Sequence, residues 1–135
     1  MVMRCSISAA FLIASVCLVP AAATAATGSY MCAFTDVYEC ETVKGCHRAS
    51  LDAINIPEFI VVDLDKKQLT GAAIGHDHRT EDIEGMTSTD KLIFLHGTQH
   101  EETWNATVTL ETGALAGGIT SGSSSFAIFG NCAPK

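Results

Sequence analysis

Histidine and cysteine are the residues in this chain with the most chemistry to offer. The five histidines are His47, His76, His78, His96 and His100. His76 and His78 flank Asp77 as an H-x-H pair, and on a strand residues i and i+2 share a face, so both imidazoles could meet one metal ion. His96 and His100 flank Gly97-Thr98-Gln99. If those three residues turn the chain, the two rings face each other with Cβ atoms roughly 5 Å apart. Together the four imidazoles would form a nitrogen donor set for zinc or copper. Asp77, Glu81, Asp82, Glu101 and Glu102 would add negative charge and orient the rings. The competing reading is ordinary polar-turn histidine, and nothing in the sequence brings the two pairs together. His47, between Cys46 and Arg48, reads as a surface residue.

Six cysteines occur in 135 residues, at positions 5, 17, 32, 40, 46 and 132. The first two fall in a leader. Arg4 precedes an apolar run over residues 5–19, and residues 21–26 supply small side chains with Ala23 and Ala25 in the A-x-A pattern. This is the layout of a secretory signal peptide, cleaved after Ala25 or Ala26. The apolar run is shorter than the roughly 18–20 residues a spanning helix needs. Val16 stands before Cys17, where lipoprotein processing needs a small residue. The reading is therefore a signal peptide over 1–26 and a single domain over 27–135, exported to a periplasmic or extracellular space. In that oxidising setting Cys32, Cys40, Cys46 and Cys132 are expected to form two disulfides. The spacings are too wide for a zinc knuckle. Three pairings are open. Val43-Lys44-Gly45 can turn the chain between Cys40 and Cys46, which favours Cys40–Cys46 with Cys32–Cys132.

Motifs for catalysis are missing. The sequence has no G-x-S-x-G elbow, phosphate-binding glycine loop or H-E-x-x-H. Glu81-Asp82 and Glu101-Glu102 are adjacent pairs whose members point to opposite strand faces, so neither forms an acid/base dyad. Oxidised cysteines offer no thiolate.

The elements that must position these residues are strands. Trp104, Ala106, Val108 and Leu110 alternate with Thr103, Asn105, Thr107 and Thr109, the pattern of a half-buried strand. Further strands are expected at 30–34, 37–43, 59–64, 68–74, 80–86, 91–96, 114–120 and 124–129. The apolar run that opens the 59–64 strand predicts burial on both faces. Turn clusters such as Asp65-Lys66-Lys67 and Glu111-Thr112-Gly113 recur about every 10–12 residues, as in consecutive hairpins. Residues 47–54 could form at most two helical turns before Pro57. The fold class is all-β: a small antiparallel meander of about seven or eight strands, closed as an up-and-down barrel or stacked as a two-sheet sandwich.

Charge narrows the partners. Asp and Glu outnumber Lys and Arg by 15 to 8, a net charge of −7, which offers no basic surface for nucleic acid. The acidic stretches at 80–84 and 100–102 would give negative patches, either for hydration or for docking a cationic partner. Phe94, Trp104 and Phe126 read as core; Tyr30 and Tyr38 lie near the cysteines. Asn105-Ala106-Thr107 matches a glycosylation sequon, discounted because the Ala-rich leader has a bacterial character.

Cys32, Cys40 and Cys46 at C-x7-C-x5-C spacing, with the closing Phe129-Gly130-Asn131-Cys132, resemble small exported disulfide-containing β proteins of proteobacteria, a group described only as uncharacterised. The resemblance carries no activity across. Periplasmic lysozyme-inhibitor barrels share size, export and disulfide use, an analogy of architecture only. The expected function is an exported, non-catalytic binding or interaction module for an envelope protein or small ligand. The alternatives are a zinc or copper protein using His76, His78, His96 and His100, and a hydrolase without a recognisable motif.

Overall fold

Period-two patterning yields strands along nearly the whole chain. The computed structural model describes residues 26–71 and 79–135. The strands are β1 (Ser29–Glu41), β2 (Gly45–Ala49), β3 (Phe59–Asp63), β4 (Gln68–Gly71) and β5 (Thr80–Asp82). They continue as β6 (Gly85–Ser88), β7 (Leu92–Gln99), β8 (Glu102–Thr109), β9 (Ala114–Ser121) and β10 (Ser124–Pro134). All pairings are antiparallel, in one sheet ordered β5-β4-β3-β1-β10-β9-β8-β7-β6, with β2 attached to β1.

The sheet curls until its two edges meet. β5 and β6 are successive parts of one bent segment, 80–88. At the bend the Ile83 N–H donates to the Lys67 carbonyl (2.8 Å) and the Glu84 N–H to the His96 carbonyl (3.0 Å). The first half of the segment therefore pairs with β4 and the second with β7. The result is an up-and-down barrel whose long staves are consecutive in sequence. The expected strand count is lower than the observed one because β2 is an added flap and the 80–88 strand divides at its bend.

β1 is one strand rather than two. A bulge between Phe34 and Asp36 shifts its register against β10, turning the chain so that Cys32 and Val37 are both buried. Its first half pairs with β3 and its second with β2. Gly130 faces this bulge. A Cβ there would lie 2.2 Å from the Ala33 carbonyl oxygen, so only glycine fits. Residues 47–54 do not form a two-turn helix: β2 runs to Ala49, and only Asp52–Ile54 winds, as a single 3-10 turn. The apolar run of β3 is fully buried at Val62 alone, because the barrel covers one face of that strand.

Both disulfides join residues directly opposite each other in neighbouring strands. Cys32–Cys132 links β1 to β10 and Cys40–Cys46 links β1 to β2. The Cys132 N–H points away from Cys32, to the Gly113 carbonyl at 2.7 Å. The pair is thus a non-hydrogen-bonded one, where side chains approach closest.

The core lies toward one end. Leu64, Ile83, Ile93, Leu95, Val108, Leu115, Cys32 and Cys132 are buried together with Val62, and Ala26 and Tyr30 pack against them. The β3–β4, β6–β7 and β8–β9 turns close that end, tied by the Leu110 N–H to the Lys91 carbonyl (2.8 Å). No helix among the described residues is long and apolar enough to cross a membrane. The signal-peptide expectation for residues 1–26 falls, up to residue 25, outside the described residues.

Candidate functional site

Among the described residues, the opposite end of the barrel is open. Inward-facing residues of each stave descend from it in register: Gln99, Gly97 and Leu95 on β7; Glu102, Trp104, Ala106 and Val108 on β8; Ile119, Gly117 and Leu115 on β9. Leu95, Ala106, Gly117 and Ile128 occupy one level across four staves. Ala106 and Gly117, side by side, contribute one methyl between them. Two bulky side chains there would fill the barrel, and these leave it hollow. Gly117 is not replaceable, since a Cβ would lie 2.5 Å from the Asn105 carbonyl oxygen.

The space left is a cavity of about 820 Å³. Its walls are mostly apolar, with Phe34, Ile60, Val62, Leu95, Val108 and Ile128 among them. This is the size and character of small-molecule sites, commonly 300–1,000 Å³ and apolar with a few polar groups. One level below the rim sits Trp104, the chain's single tryptophan. Its indole lies over Gly97, where an added Cβ would come within 2.7 Å of the ring. Its Nε1–H is buried and has no hydrogen-bond partner among the described residues. A buried donor left in that state costs about 1–3 kcal/mol.

The rim is polar. Asp52, Asn55 and Glu58 come from the loop before β3, Arg79 and Glu81 from the start of β5, Gln99 and Glu102 from the β7–β8 hairpin. The Arg79 guanidinium donates to the Asn55 carbonyl (2.9 Å), strapping the loop to β5. Gln99 donates its side-chain amide to the Glu81 carboxylate. Burial pushes the Glu81 carboxyl above its ordinary range; His100 and Arg79 pull against that, and Asp82 adds to it. Among the described residues none of Asp52, Glu58, Glu81 and Glu102 has a salt-bridge partner; the ion pairs lie elsewhere, at Lys44–Glu41, His47–Glu39, Arg48–Asp36 and Lys66–Asp63.

His96 and His100 do not face each other as the turn argument predicts. β7 continues through Gly97-Thr98-Gln99, and the turn is His100-Glu101. His96 pairs with Asn105, on the outer face, with its ring 5.7 Å from that of Phe94 and over Gly85. His100 occupies the tip with a φ of 55°. The two are therefore not facing partners. Gly97 stays in the strand because the Trp104 ring needs its open surface. His76 and His78 lie outside the described residues. Among the described residues no group of three or more His, Cys, Asp or Glu is placed to hold a metal. His47 is exposed, 3.5 Å from Glu39.

Glu81 and Glu102 belong to the acidic stretches that the sequence reads as negative patches, for hydration or for docking a cationic partner. Each shares its strand face with core residues, Glu102 with Trp104 and Ala106, Glu81 with Ile83. That parity is the signal that places them at the mouth. No protein family matches the chain, no curated protein matches it, and no solved structure matches it.

Proposed function

We propose that this chain is an exported, non-catalytic binding module that takes a small, largely apolar molecule into the mouth of its barrel. The cavity carries the reading: about 820 Å³ of mostly apolar, pre-formed space opening at one end. A β-barrel mouth is a recurrent place for such a site, because the staves hold its walls rigid while loops supply the polar contacts. The two disulfides support an oxidising compartment, periplasmic or extracellular.

Trp104 supplies the assay. As the sole tryptophan, on the cavity wall, it reports directly on occupancy. Titration with the apolar fluorophore N-phenyl-1-naphthylamine is expected to quench Trp104 emission by energy transfer, with saturation at one molecule per chain. Ala106→Phe, which fills the middle of the cavity, is expected to abolish uptake, and Ile119→Phe nearer the rim to weaken it. Absence of saturable binding to the wild-type protein, or undiminished binding by a folded Ala106→Phe variant, would remove the reading.

A further inference from the structure

We propose that the preferred ligand is an organic cation with an apolar body, its tail among Leu95, Ala106 and Ile128 and its cationic head between Glu81 and Glu102. The proposal rests on the cavity reading and adds the charge of the ligand. Two observations on the site support it. The apolar wall ends at a rim holding Asp52, Glu58, Glu81 and Glu102, carboxylates without a salt-bridge partner among the described residues. Among the described residues lining the cavity, Arg79 is the one basic side chain against these four carboxylates, and its guanidinium donates to the Asn55 carbonyl. An anionic head would therefore meet net repulsion in a site partly shielded from water, and a cationic head net attraction. A bare metal ion fits less well, since no cluster of three ligating side chains exists among the described residues. An organic cation needs no such cage.

The test compares three probes of one chain length, decylamine, decanol and decanoate, below their micellar concentrations, read by Trp104 emission and by calorimetry. Decylamine is expected to bind on the order of tenfold tighter than decanol, and decanoate weakest. Added salt should weaken decylamine and leave decanol unchanged. In the double variant Glu81→Gln with Glu102→Gln, decylamine should fall to the affinity of decanol while decanol holds its own. If none of the three probes binds, the cavity reading itself fails. If decanol or decanoate binds as tightly as decylamine, only the cation inference fails. A preference for decylamine that survives the double variant also overturns it, by placing the charge recognition elsewhere. The wild-type comparison needs no variant to fold.

Discussion

The two ends of this barrel are built from the same strands and do opposite things. At the closed end Leu64, Ile83 and Ile93 pack around the Cys32–Cys132 bridge, each no more than 4% exposed. There Lys66, Lys67, Lys91 and Lys135 stand among Asp63, Asp65, Asp90 and Glu111, so opposite charges interleave on the turns. At the open end small residues replace large ones on the inner face, a tryptophan donor goes unpaired, and acidic residues outnumber the single arginine. One end holds the fold together, and the other withholds packing to keep a volume empty. The separation means that stability and binding should respond to different residues, which can be tested end by end.

The disulfides should show the largest contrast. Cys32–Cys132 closes a loop with a sequence separation of 100, Cys40–Cys46 one with a separation of 6. In the chain-entropy account, the first stabilises by about 4–5 kcal/mol and the second by roughly 2 kcal/mol. Cys32→Ser with Cys132→Ser should therefore lower the urea midpoint about twice as far as Cys40→Ser with Cys46→Ser. Equal losses would mean that the flap at β2 contributes as much as the closed end.

Core truncation comes next. Ile93→Ala removes a side chain that is 1% exposed, at a cost of about 2–4 kcal/mol. Ile119→Ala at the cavity wall, only half-buried, should cost roughly 1 kcal/mol, because it enlarges a space already present. Binding of the naphthylamine probe should follow the reverse order, with Ile119→Ala changing affinity and Ile93→Ala leaving it intact once folded. Urea melts and probe titrations on the same two proteins check both halves.

How far each end was legible follows from the same contrast. The frame of the barrel obeys local rules. Alternation in Trp104-x-Ala106-x-Val108, turn clusters and an even set of four cysteines each point to strands, hairpins and bridges. The mouth depends on relations between distant residues. Leu95, Ala106, Gly117 and Ile128 share a level only after four staves are in register, and no short window of sequence shows that. The hairpin at His100-Glu101 was misplaced by three residues because Gly97 carries a turn signal, whereas its role here is to admit the Trp104 ring. The bulge that unites β1 is likewise a matter of its pairing with β10, not of its own composition.

The two ends should also titrate with opposite sign. Asp63 accepts from the Lys66 backbone N–H (2.9 Å), which holds its carboxyl below the ordinary range. Its ionised form favours the fold, so it adds stability above the unfolded carboxyl value, near 4, and that stability is lost as pH falls through its lowered native value. Glu81 is the reverse. Burial raises its native value, so the unfolded chain ionises first, and stability drops as pH climbs from the ordinary carboxyl range through the raised one. Glu81→Gln should flatten that limb and slightly raise stability near neutral pH, the gain reduced by the solvent at the mouth. Asp63→Asn should lose stability near neutral pH and none in strong acid. Urea melts across the acid range distinguish the two; limbs of the same sign in both variants would break the contrast.

A further contrast concerns where the folded domain begins. The Ala26 N–H donates to the Ser88 hydroxyl at 2.9 Å, and its methyl packs against the closed-end core. Cleavage after Ala25 would leave Ala26 as the first residue. Its amino group can still donate to Ser88, and its methyl stays in place. Cleavage after Ala26 removes both, and with them about 0.5–1 kcal/mol. Export therefore should yield a chain starting at Ala26, as read by intact mass, with both disulfides formed. A version starting at Thr27 should melt slightly lower. If Thr27 proves to be the natural first residue and adding Ala26 changes nothing, the closed end does not extend to Ala26 and is sealed from Gly28 onward, where the Leu64 N–H donates to the Gly28 carbonyl at 3.0 Å.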